Sequence, residues 1–287
     1  PARSSTRTER GVFRTVAHEL AHQWFGNLVS VALWDEIWLN EAFATWMEHK
    51  ATERFRPEWQ AQLSAREWLD RTMQRDATAA TRAIRSGPVD EARVFDVFDD
   101  ITYTKGGAVL SMLEQWIGEA AFQRGLAAYM AERRMAPATA GDLWHHIGRA
   151  AERPVSDVAA SWTDQPGFPL LDASAACESG RTLVTLKQSR FLLSAAGTSN
   201  AQWRVPVRVA RGEQRQTWLL EQPRAAFELP GCDDQPIVVN AGARGFYRVR
   251  YSDELQQRLL RGFATFAAAD RVALLADSFA LALAGRQ

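Results

Sequence analysis

Five residues, His18-Glu19-Leu20-Ala21-His22, constrain this chain more than any other stretch. Two imidazoles four positions apart converge on a helix. At ~100° per residue they sit ~40° apart and one turn separated, so both reach a single ion. Glu19 lies ~100° round from His18, near enough to meet a water held by such an ion yet displaced from ligation. Two neutral imidazoles with a neighbouring carboxylate base form the arrangement of a zinc hydrolase site. The same residues also suit two surface histidines beside an acid, and the motif alone does not separate these readings.

Two further features favour the metal. Phe13, Val16, Leu20 and Trp24 recur at spacings of three and four, which predicts a core-facing helix from about Glu9 to Asn27 with Leu20 on its buried side. Nineteen residues past His22 stands Glu41, within Trp38-Leu39-Asn40-Glu41-Ala42-Phe43, on a helix predicted over 37–54. A carboxylate there supplies the third ligand of a His₂Glu site and leaves a fourth position for water. His49, His145 and His146 lack ligand spacing and read as surface or internally satisfied side chains. Trp24, Trp34, Trp38 and Trp46, four of eleven tryptophans, read as scaffold.

Helical periodicity continues over 57–75, 103–117, 119–133 and 155–162, with a capping-box pair, Thr139 and Asp142, ahead of Leu143-Trp144. Residues 76–100 are poorly periodic, with Gly87-Pro88 as a turn signal. The character changes at Gln165-Pro166-Gly167-Phe168-Pro169. Short β-branched and aromatic runs follow at 181–187, 203–209, 216–220, 237–240 and 246–251, which suggests a small β-sandwich. Leu255, Leu259 and Leu260, then Val272, Leu275, Phe279 and Leu283, turn the pattern helical again. Domains are therefore expected over 1–170, 171–252 and 253–287, the last being the start of a helical domain.

Lys plus Arg and Asp plus Glu both number 34, and this neutrality removes the usual electrostatic case for a nucleic acid or an anionic membrane. The most apolar stretch, 263–284, is broken by Asp270, Arg271 and Asp277, so no membrane span is expected. The first residue is Pro and residues 1–15 carry Arg3, Arg7, Arg10 and Arg14 with Ser4 and Ser5. A transit peptide has that composition, but an internal piece of a longer protein is the favoured reading. Location is not fixed by such a piece; a soluble cytoplasmic one is favoured over secreted or periplasmic. Two cysteines, Cys177 and Cys232, are too few for a disulfide framework, and free or buried thiols are expected over a bond between them.

The chain resembles the M1 zinc aminopeptidases of the gluzincin clan. The resemblance rests on His18-Glu-Leu-Ala-His-Gln-Trp-Phe-Gly-Asn27 and Trp38-Leu-Asn-Glu-Ala-Phe-Ala44, a pair of blocks of high specificity. It continues at Ile101-Thr-Tyr-Thr-Lys-Gly106, Trp162-Thr-Asp-Gln-Pro-Gly-Phe-Pro169 and Gly245-Phe-Tyr-Arg-Val-Arg-Tyr251. The implied fold is α+β and multidomain: a mainly helical, thermolysin-like catalytic part, then the β-sandwich, then the opening of a helical domain. The implied site has His18, His22 and Glu41 on one Zn²⁺, Glu19 as general base and Tyr103 stabilising the oxyanion. Gln23 and Asn40 adjoin the ligands. Lys105 reads as a solvated or local structural charge. The implied substrates are peptides, cleaved at the N-terminal residue.

Three departures stand out. The family's Gly-x-Met-Glu-Asn loop, which grips a substrate's free amine, is not found, and neither is its N-terminal β-domain. Ala42 stands where the family commonly has Gly, a methyl that Ala's helix propensity leads us to expect is tolerated. Two other functions share these motifs: a pseudo-enzyme or inactive fragment that binds through its β-sandwich, and an epoxide hydrolase with the same zinc site.

Overall fold

A computed structural model describes residues 5–87, 91–194 and 199–286. Arg3, Ser4 and the Pro88 half of the turn signal lie outside the described residues. The chain is α+β and divides into two compact units. The first comprises 1–72 and 82–165, the second 73–81 and 166–287.

The first unit is helical. Helix α1 (Thr6–Ala21) starts at Ser5, whose side chain accepts from the Thr8 N–H, a capping interaction that satisfies one of the orphan donors of the first turn. Strand β1 (Val29–Val31) pairs in parallel with β2 (Ala136–Ala138). Helix α2 (Trp38–Phe55) packs along α1, while α3 (Ala61–Asp76) passes from the first unit into the second. A π-helical turn at Ile101–Lys105 leads into α4 (Gly106–Ile117), which lies against α2. Helices α5 (Glu119–Glu132), α6 (Ala140–Ala151) and α7 (Val155–Thr163) complete the unit. The capping box opening α6 is formed: Thr139 and Asp142 each bind the other's backbone N–H. Trp38, Phe43 and Trp46 on α2 and Leu110 and Leu113 on α4 are buried at the centre.

In the second unit, β3 (Pro169–Glu178), β4 (Arg181–Arg190), β7 (Arg224–Pro230) and β9 (Arg248–Tyr251) form a sheet ordered β7-β4-β3-β9. Strands β5 (Val205–Arg211), β6 (Gln214–Leu220) and β8 (Ile237–Val239) form a second, ordered β6-β5-β8. Helices α8 (Asp253–Gly262) and α9 (Ala268–Leu283) belong to this unit. Leu259 of α8 packs with Ala210, Val238 and Ala241. Asp277 of α9 accepts from the Val249 N–H at 3.1 Å and from Arg248 Nη1 at 3.1 Å, both buried. The residues expected to open a separate helical domain thus share a core with the sheets.

Four sequence expectations are corrected. Of the expected stripe, Val16, Leu20 and Trp24 are exposed, Leu20 at 57%, and Phe13 is half-buried against Trp59; Ala21 is the buried residue of α1. Periodicity identifies residues that share a face but not what covers it, and α1 meets α2 with its histidine side instead. Val12, Val16, Leu20, Met47 and Phe55 line a concave apolar surface of about 850 Å³. Lys105 is wholly buried, which removes the solvated alternative and leaves a local structural charge, and Trp34, like Trp24, is about half exposed rather than scaffold. Finally, Cys177 and Cys232 are bonded, with Cα atoms 5.6 Å apart. Strand register produces the pairing. Cys177 lies opposite Thr182, Thr182 opposite Leu229, and Cys232 follows β7 by two residues.

Candidate metal centre

Two packed helices bring the candidate residues together. His18 and His22 point from α1 toward α2, where Glu41 occupies the first turn. Glu41 Oε2 lies 3.3 Å from His18 Nε2 and 3.5 Å from His22 Nε2. Ligand atoms of the three residues all fall within 4.8 Å of one another, the group of this kind among the described residues. Two donors each ~2.1 Å from a tetrahedral ion stand ~3.4 Å apart, so these spacings and this donor chemistry fit one zinc. The side chains are largely buried but not sealed, and Glu19 is exposed on the adjoining face of α1.

Each histidine is held by its other ring nitrogen, which fixes which nitrogen faces the ion. His22 Nδ1 lies 2.9 Å from the Phe25 carbonyl. Gly26 follows with a φ of 126°, and a β-carbon there would touch Asn40 at 3.5 Å and His22 at 3.7 Å, ordinary contact distances. The positive φ calls for glycine here. Stacking of Phe25 on Phe43, with centroids 4.5 Å apart, ties the same loop to α2. His18 Nδ1 instead faces a carboxylate: Glu48 Oε2 at 3.5 Å, two turns beyond Glu41 on α2 and buried. Sequence reasoning passed over Glu48, because nothing local marks it. Its signal is the seven-residue spacing from Glu41, which returns to the same helix face.

Charge couples the cluster. Burial disfavours the cationic form of His18, but contacts with Glu41 and Glu48 outweigh it and bring its pKa up to about 9. His22 is raised chiefly by its hydrogen bond with Glu41. Burial pushes the Glu41 carboxyl up, and the two imidazoles more than reverse this, bringing it down to about 2.

Tyr103 sits on the π-helical turn with its ring stacked on His18, centroids 5.9 Å apart. Its pKa is raised by burial first, then by the charge and hydrogen bond of Glu41 and by the charge of Glu19. The phenol therefore stays protonated and able to donate. Asp99 fixes this turn by accepting from the Ile101 and Thr102 N–H groups at 3.0 and 3.2 Å. Arg82 in turn forks onto Asp99 and donates to the Val97 carbonyl at 3.0 Å and to the Thr102 hydroxyl at 2.8 Å. Gly106, one turn after Tyr103, presses on Ala42, next to Glu41: a β-carbon at 106 would lie 2.7 Å from that of Ala42. The extra methyl at 42 is accommodated because its neighbour has none. Of the residues adjoining the ligands, Asn40 meets Gly26 while Gln23 is exposed. His146 pairs with Glu132 at 3.3 Å.

The model of the "Peptidase family M1 domain" matches residues 1–162. The "Aminopeptidase M1" of Arabidopsis thaliana is 36% identical over 99% of this chain and 34% of its own length. The "Puromycin-sensitive aminopeptidase" of Caenorhabditis elegans is 34% identical over 100% of this chain and 31% of its own length. The "Leucyl aminopeptidase" of Saccharolobus solfataricus is 34% identical over 99% and 35%. The chain spans about a third of the length of these curated relatives. A family match over more than half of the chain makes this chain a member of the peptidase M1 family.

Proposed function

We propose that this chain is the metal-binding and catalytic segment of a zinc aminopeptidase that removes N-terminal residues from peptides. The observation that carries the reading is the convergence of His18, His22 and Glu41 beside Glu19 and Tyr103. His18 Nε2, His22 Nε2 and Glu41 Oε2 would hold the ion. When bound, zinc supplies Lewis acidity and lowers the pKa of a water toward ~7. Glu19, exposed beside the ligands, takes a proton from the attacking water and returns it to the leaving amine. Tyr103 donates its phenolic hydrogen to the oxygen that gains charge as the carbonyl becomes tetrahedral. The names of the relatives support peptides as the substrate class.

Glu19→Gln tests the assignment. It should keep zinc and lower turnover of an aminoacyl reporter by ~10²–10⁴; full turnover with zinc retained would falsify the role.

No described helix is long and apolar enough to cross a membrane. The bond between Cys177 and Cys232 supports an oxidising compartment over the cytoplasmic location expected above.

A further inference from the structure

Beyond the candidate ligands, one partly solvated cation reaches toward the site through a buried carboxylate. Arg14 lies on α1 one turn before His18, and its Nε donates to Glu48 Oε1. The other oxygen of that carboxylate, Oε2, faces His18 Nδ1 at 3.5 Å. Glu48 is 6% exposed and Arg14 is partly solvated. The two imidazoles are therefore backed differently. His22 has a neutral carbonyl fixed by the backbone, whereas His18 has a charged side chain that rotates about three bonds unless something holds it. The groups facing the Glu48 carboxylate are Arg14 and His18 from α1, with the charge of His49 nearby on α2.

We propose that Arg14 is a positioning residue for the metal site, acting on His18 through Glu48. One carboxylate oxygen is anchored by the guanidinium, which leaves the other aimed at Nδ1 and the His18 ring turned with Nε2 toward Glu41. Arg14 also compensates a charge that would otherwise be buried beside the ligand set without its cation, a situation that is strongly unfavourable. Outer partners of ligating histidines alter metal affinity by ~10–100-fold when removed. An effect transmitted through one of them falls in the lower part of that range. The inference rests on the zinc reading above, and the test separates the two.

The experiment is zinc affinity by chelator competition on the intact protein, with the visible spectrum of the cobalt-loaded form as a second readout. Thermal unfolding of chelator-treated protein checks that each variant is folded. Glu48→Gln should weaken zinc binding by ~10–100-fold. Arg14→Met should weaken it by about tenfold and shift the cobalt bands, and Arg14→Lys should recover part of the loss. The double variant Arg14→Met/Glu48→Gln should bind no more weakly than Glu48→Gln alone, since both changes interrupt one path. If the two losses multiply, or Arg14→Met leaves affinity and cobalt spectrum unchanged while the wild type binds zinc, Arg14 does not act through Glu48. If the wild type itself binds no zinc, it is the metal reading that fails.

Discussion

A β-carbon placed on Gly106 would lie 2.7 Å from the β-carbon of Ala42, closer than packed methyl groups approach. Both residues are buried, Ala42 beside Glu41 on α2 and Gly106 at the start of α4. Gly106→Ala sets two effects against each other. Alanine favours the helix by ~1 kcal/mol, since Gly106 already has a right-handed φ of −55°. Overpacking opposes it by ~1–3 kcal/mol. The variant should therefore be destabilised by up to ~2 kcal/mol. Separation of α2 from α4 should also move Tyr103 from Glu41 and reduce turnover more than zinc affinity. Ala42→Gly alone loses helix propensity, ~1 kcal/mol, and a buried methyl, ~1 kcal/mol. Ala42→Gly/Gly106→Ala transfers the methyl from one helix to the other and removes the collision, so its stability should return to within ~1 kcal/mol of wild type. Denaturant unfolding of all four proteins measures the coupling. Strict additivity of the two single changes would refute the close approach and, with it, the account of how α4 seats Tyr103.

Other perturbations probe the supports of the fold and site. Cys177→Ser/Cys232→Ser opens a loop with a sequence separation of 55 residues. Chain entropy predicts a loss of ~4 kcal/mol, read as a lower denaturant midpoint that reductant reproduces in the wild type and does not alter in the variant. In chelator-treated protein, His18 titrates near 9 against an ordinary 6.5, so its stabilisation is full below 6.5 and fades as pH rises through 9. Glu41 titrates near 2 against 4.5, so its contribution is full above 4.5 and fades as pH falls through 2. Thermal melts of that protein should show these two contributions jointly complete between about 4.5 and 6.5, and a His18→Gln variant that kept the alkaline decline would contradict the assignment. Arg82→Met removes the fork on Asp99. It should lower turnover by ~10-fold or more with zinc affinity unchanged, because Tyr103 loses its fixed aim; an equal loss of both would mean general unfolding.

The spacing of the candidate ligands was legible because it depends on local geometry. His18 and His22 fall on one helix face from their spacing alone, and the capping box of Thr139 and Asp142 needs only the residues themselves. What required tertiary packing escaped. The stripe through Phe13, Val16, Leu20 and Trp24 gave a face but not its surroundings, and Val16, Leu20 and Trp24 are open. Glu48 and Arg14 matter only because α1 and α2 lie side by side, and Arg82 matters only because Asp99 folds back to it. Strand β3 was missed because its Ala-Ser-Ala-Ala run lacks the β-branched residues that mark strands. Its pairing with β4, and that of β4 with β7, is what makes Cys177 a neighbour of Cys232.

Metal content after extensive dialysis bears most directly on the claim that the two imidazoles and the carboxylate share one ion. The wild type should retain about one zinc per chain, and His18→Ala, His22→Ala and Glu41→Ala should each lose it while remaining folded. Zinc retained unchanged in the Glu41 variant, or none bound by the wild type, would contradict it.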